Sequence, residues 1–92
     1  MKIQLQFNNT ITRLAGNSFG KKIYENQVKN KINLEELNII EFPNTIEDLA
    51  ISFVQGFTED IFKSIKKDEF SKYFSIEGNQ KVIDKFEKSI YF

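Results

Sequence analysis

Apolar and polar residues alternate strictly from Lys2 to Phe7, with Ile3, Leu5 and Phe7 on one side and Lys2, Gln4 and Gln6 on the other. A period of two predicts a strand with one buried face, at or near a sheet edge. Asn8-Asn9-Thr10 is turn chemistry, because Asn tolerates left-handed backbone and bonds its own main chain. Ile11 to Leu14 is therefore expected to pair back on the first strand as a short hairpin partner. Gly16-Asn17-Ser18 offers a break followed by an N-cap, and Phe19, Ile23 and Val28 lie at helical spacing behind it. This predicts a first helix from about Ser18 to Lys29.

Leu37 to Phe42 is a nearly continuous apolar run, the pattern of a central parallel strand covered on both faces, and Pro43 ends it by withholding a ladder donor. Ile46, Leu49 and Ile51, with acidic residues between them, read as a return of the chain toward a second helix. From Ser52, the residues Phe53, Val54, Phe57, Ile61, Phe62 and Ile65 form one wide apolar stripe on that helix, with Glu59 and Lys63 as an i, i+4 pair outside it. Phe70, Lys72, Phe74 and Ile76 alternate again as a strand. Gly78-Asn79 supplies a turn and an N-cap, and Val82, Ile83, Phe86 and Ile90 make a last helical stripe. Alternating strands and helices imply an α/β domain: a small mixed or parallel sheet of about four strands, joined by right-handed crossovers, with about three helices packed on it. No internal repeat or linker interrupts residues 1–92, so one domain is expected.

Composition narrows the chemistry. At 92 residues the chain supports one core, and 40% apolar with 28% charged residues is the balance of a folded domain. Lys plus Arg and Asp plus Glu both number 13, so no net positive field gathers a polyanion and nucleic acid is an improbable partner. There is no Cys and no His. Disulfides, thiolate nucleophiles, imidazole bases and the usual zinc sites are thereby excluded, and no enzymatic activity, catalytic residue, metal or cofactor is expected. No apolar stretch reaches the ~18 residues of a membrane span, and the alternating N-terminus does not resemble a signal peptide. A soluble, cytoplasmic protein is the expectation.

Glu47, Asp48, Glu59 and Asp60 are the one carboxylate cluster, but their spacing around a helix favours solvated surface over a single site. Lys63, Lys66, Lys67 and Lys72 with Phe70 and Tyr73 could stack single-stranded nucleic acid, although Asp68 and Glu69 interrupt the patch. Gly16 and Gly20 lack the spacing of a phosphate loop. Most of the ten Phe residues sit at strand or helix spacing and read as core. Tyr91-Phe92 either folds back or is offered to a partner.

The segment LNIIEFPNTIEDLAISFVQGFTEDIF (Leu37 to Phe62) and the opening TRLAGNSFGKKI (Thr12 to Ile23) resemble the STAS domain, the fold of bacterial anti-sigma factor antagonists, and in particular a compact STAS-like family of unknown function. In that family a strand ending in an aspartate-phenylalanine pair is followed by a short apolar segment and then by a Ser-Phe dipeptide that opens a long amphipathic helix. The matching residues here are Glu41-Phe42 and Ser52-Phe53, and Arg13 matches an arginine that precedes the first helix. In true antagonists the serine at the position of Ser52 is the second serine of an Asp-Ser-Ser-Gly segment and is phosphorylated by a histidine-kinase-like ATPase. Here Ala50, Ile51 and Phe53 surround it. The resemblance implies a non-enzymatic regulatory module that binds a partner protein of that ATPase or kinase class, with Ser52, Phe53 and Asp48 as the phosphorylation or contact region. Ser52 could equally be an ordinary N-cap. The alternative is a small phage or mobile-element accessory protein that inhibits an enzyme or a nucleic-acid machine.

Overall fold

The alternating N-terminus forms strand β1 (Lys2–Gln4) in the computed structural model, which describes residues Met1–Phe92. It has no hairpin partner. Instead β1 pairs in parallel with β3 (Asn38–Glu41), Ile3 opposite Ile40, and β3 pairs in parallel with β5 (Phe74–Glu77), Ile40 opposite Ile76. The expected return strand is only β2 (Arg13–Leu14), and it lies parallel to β4 (Asp48–Leu49) in a separate two-stranded sheet. The turn itself forms, with Asn8 Oδ1 accepting from the Thr10 N–H at 3.0 Å and the Thr10 hydroxyl at 2.9 Å. A hairpin fails because the chain just past β1 already has its neighbour. The Gln27 carboxamide donates to the Gln6 carbonyl and accepts from the Gln6 N–H, both at 2.8 Å, as a strand's peptide group would.

The three-stranded sheet, in the order β1-β3-β5, is covered on one face. Ile3, Leu5, Ile40, Phe42, Phe74 and Ile76 belong to the single core, whereas Lys2, Gln4, Ile39, Glu41, Ser75 and Glu77 lie on the outer side, exposed or half-buried. The expectation that Leu37 to Phe42 would be buried on both faces is thus corrected; Leu37 itself is 44% exposed. Topology explains this, since β1 to β3 and β3 to β5 step in the same direction, and two crossovers of the same hand put their helices on the same side. On the outer side Lys2 Nζ bridges Glu41 at 3.1 Å and Glu77 at 3.3 Å.

Four helices occur rather than three: α1 (Asn17–Gln27), α2 (Ile51–Thr58), the single turn α3 (Phe70–Tyr73) and α4 (Gln80–Ser89). The long second helix expected through Ile65 stops at Thr58, whose hydroxyl donates to the Val54 carbonyl at 2.7 Å, a back-bond that bends helices. A 3-10 turn at Ile61–Lys63 then keeps Ile61 and Ile65 in the core. Phe70 also departs from expectation, because it begins a helical turn and the strand starts only at Phe74. Phe70 and Phe74 are four residues apart, a spacing that satisfies both a helix and a strand, and their rings stack at 5.1 Å. The Asn79 cap forms as read, Oδ1 accepting from the Val82 N–H at 3.0 Å.

Phenylalanine fills the centre. Phe42, at the end of β3, meets Phe57 of α2 at 6.5 Å and Phe86 of α4 at 6.0 Å, and Phe57 and Phe86 meet edge to face at 5.8 Å, within the range of favourable aromatic pairs. Asn38, fully buried in the apolar run, is satisfied by design of the loop around it: its amide donates to the carbonyls of Asn33, Glu36 and Tyr73 and its oxygen accepts from the Asn33 N–H. One side chain thereby ties the approach to β3 to the start of β5.

Candidate functional site

The helix pair α1–α2 positions the residues singled out at the start of α2. Gly20 lies against the main chain of Phe53, and Gly56 against that of Asn17, so closely that a Cβ at either glycine would overlap a carbonyl oxygen: Phe53 O for Gly20 and Asn17 O for Gly56. Main chain therefore packs on main chain. Gly16, with φ +98°, turns the chain into α1 in the left-handed region that favours glycine. Its N–H donates to Ser52 Oγ at 3.0 Å. Ser52 is not the cap of α2: Ala50 holds that position, without a side-chain cap bond. The hydroxyl joins the two helices, and it remains half-buried rather than sealed.

Beside it, β2 and β4 place Arg13 opposite Asp48. Arg13 Nε reaches Asp48 Oδ2 at 3.3 Å, and Lys85 and Lys81 of α4 approach Oδ1 at 3.4 and 4.0 Å. Three cations surround one carboxylate, so the cluster carries a local excess of two positive charges. Partial burial pushes the Asp48 carboxyl up, but the Leu49 N–H, Arg13 and the two lysines outweigh it and hold the group below the ordinary aspartate value. Lys85 had no sequence signal for this role; the helical spacing from Lys81 is that of any solvated face, and only the packing of α4 against β4 brings both to Asp48.

Of the other candidates, Phe53 is fully buried and meets Phe57 at 5.9 Å and Phe19 at 5.7 Å, so a partner would meet Ser52 and Asp48 but not the Phe53 ring. Phe42 is core as well. Glu41 lies elsewhere, on the outer face of the sheet, where the hydrogen bond from Lys2 and then that from Gln4 lower its pKa. Glu41 and Glu77 rim a shallow recess of about 440 Å³ beyond the carboxyl ends of β3 and β5, with Gly78 and Ile83 on its far side. The four carboxylates after Ile46 do not converge. Glu59 pairs with Lys21 at 3.1 Å rather than with Lys63, which lies 3.9 Å from Asp60, and no three acidic groups come together. Lys63, Lys66, Lys67 and Lys72 are exposed, but Phe70 stacks inward on Phe74 and Phe86 and offers no platform for a base. Tyr91 and Phe92 are exposed. No helix is long and apolar enough to cross a membrane.

No protein-family model, curated protein or solved structure matches the chain. Function is therefore argued from the geometry around Ser52 and Asp48.

Proposed function

We propose that the protein is a non-enzymatic, STAS-like regulatory module that binds a partner protein of the histidine-kinase-like ATPase class through the start of α2. The observation that carries this reading is the half-buried Ser52 hydroxyl at the start of a helix, four residues along the chain from a carboxylate ringed by Arg13, Lys81 and Lys85. A helix N-terminus favours negative charge, and so does a cationic surplus. Phosphate on Ser52, or an acidic side chain of the partner, would add the charge that this surface lacks. It would also change the acceptor that the Gly16 N–H meets, so that a modification at one atom bears on the link between α1 and α2.

The test begins with affinity capture from the native cell and mass spectrometry to obtain the partner. Ser52→Asp is then expected to weaken or redirect binding at least about tenfold, a change of ~1.4 kcal/mol, with the far-UV circular dichroism of the wild type. Lys85→Glu belongs to the same surface and should act in the same direction. Lys72→Glu, away from it in α3, should bind as wild type. If Lys72→Glu abolished binding and Ser52→Asp left it unchanged, the start of α2 would not be the contact surface.

A further inference from the structure

Tyr24 is buried in α1, 2% exposed, with its ring edge-on to Phe57 at 5.7 Å. Its hydroxyl has no hydrogen-bond partner in the protein, yet no buried side-chain oxygen or nitrogen is left unpaired. The hydroxyl oxygen is therefore not fully enclosed. Burial, and then Asp60, push the phenol up to about 12, so at neutral pH it is protonated and can both donate and accept.

Tyr24 lines a recess of about 210 Å³ between the end of α1, the loop that follows and the 3-10 turn after α2. Its wall is apolar: the Tyr24 ring, Ile32, Ile61 and Phe74, with Leu34, 39% exposed, at the rim. Its polar groups are of opposite charge, Lys29 and Asp60, with the Ser64 hydroxyl beside them. Asp60 has only a loose and exposed partner, Lys63 at 3.9 Å. Tyr24 and Asp60 also line a smaller cleft of about 60 Å³ toward Lys21 and Glu59.

We infer that this recess is a binding site for a small zwitterion with an apolar side chain, of the class of a free branched aliphatic amino acid. A volume below the ~300–1,000 Å³ of drug-sized clefts suits a molecule of amino-acid size. The apolar wall takes the side chain. Asp60 and the Tyr24 hydroxyl take the ammonium group, and Lys29 takes the carboxylate. A ligand with only one charge would leave Lys29 or Asp60 without its match. The site is distinct from the start of α2, eight residues and roughly 12 Å along α1 from Gly16, and stands or falls independently of the proposed partner.

The experiment is a chemical-shift titration of the purified chain with L-leucine, and with two analogues of the same side chain, 3-methylbutylamine and 4-methylpentanoate, which each lack one charge. Saturable shifts centred on Tyr24, Ile32, Ile61, Ser64 and Phe74 are expected for L-leucine, with both analogues at least about tenfold weaker. Tyr24→Phe keeps the ring and removes only the hydroxyl, and it should weaken L-leucine about two- to tenfold. Asp60→Asn, at a partly exposed side chain that leaves the core untouched, should weaken L-leucine while leaving 4-methylpentanoate unchanged. Equal binding of an analogue and L-leucine would overturn the zwitterion assignment. Shifts that never saturate, or that gather away from the recess, would overturn the site.

Discussion

The α1–α2 joint and the charge cluster at Asp48 lie within a few residues of one another, and different forces hold them. The joint is set by shape: two buried glycines bring main chain onto main chain, and one neutral, part-buried hydrogen bond from Gly16 to Ser52 links the two helices. The cluster is wet and set by charge, its four members all at least partly exposed. Shape is intolerant of a single methyl group, whereas exposed charges rearrange at small cost.

The same contrast runs across the sheet and gives the largest expected effect. Ile40 is fully buried on the inner face, so Ile40→Asp puts an unpaired carboxylate into the core and should cost more than about 4 kcal/mol, enough to leave little folded protein. Ile39, half-buried on the outer face, can turn its replacement toward water, and Ile39→Asp should cost about 1–2 kcal/mol. Urea denaturation of the two variants measures this directly. Equal losses would mean that the outer face is covered.

Next comes the joint itself. Gly56→Ala drives a methyl group into the Asn17 carbonyl, and Gly20→Ala drives one into that of Phe53. Neither neighbour is a flexible side-chain tip that can move aside. Each variant should lose about 3 kcal/mol through separation of the helices, whereas an ordinary exposed Gly→Ala change in a helix stabilises by about 1 kcal/mol. Thermal melts that rise instead of falling would show that the helices are not in contact there.

These two contrasts also mark how far the chain could be read in advance. Periodicity located β1, the apolar core of β3 and the last helix, and Asn79 was legible as a cap because its signal is local. Pairing was not local. Whether Ile11 to Leu14 turns back on β1 is decided by Gln27, which lies 21 residues from Gln6 and reads only as a polar helix residue. The apolar run Leu37 to Phe42 concealed that Asn38 is buried and Ile39 less so, since burial on the second face depends on which side the helices take. At the candidate site Arg13, Asp48 and Ser52 were identifiable, but the role of Ser52 as a link to Gly16 and the arrival of Lys81 and Lys85 required the tertiary contacts.

Ser52 separates the two regions at finer scale. Ser52→Ala removes the acceptor of the Gly16 N–H and should cost about 1 kcal/mol, a size that a lost N-cap would also give. Amide exchange distinguishes them. Loss of the link raises the exchange rate of Gly16 and leaves the first amides of α2 as they were, whereas loss of a cap does the reverse.

The smallest effect belongs to the charge cluster and appears as a dependence on pH. With its folded pKa below the unfolded value near ~3.9, Asp48 contributes stability that is fully present above that value and is lost as pH falls through the folded pKa. Asp48→Asn removes the contribution at neutral pH and leaves Arg13, Lys81 and Lys85 facing an uncharged amide, so its melting temperature should lie slightly below that of the wild type. The gap should narrow below about pH 4 and close once the wild-type carboxyl is protonated. Glu41, also lowered by its partners, titrates with the same sign in both proteins and cancels in the difference. Raising the salt concentration should shrink the gap at neutral pH, because exposed pairs are screened, and should leave the Gly56→Ala loss unchanged. A gap that persisted unaltered into strong acid would mean that Asp48 is held by shape, as Ser52 is, and the distinction between the two regions would collapse.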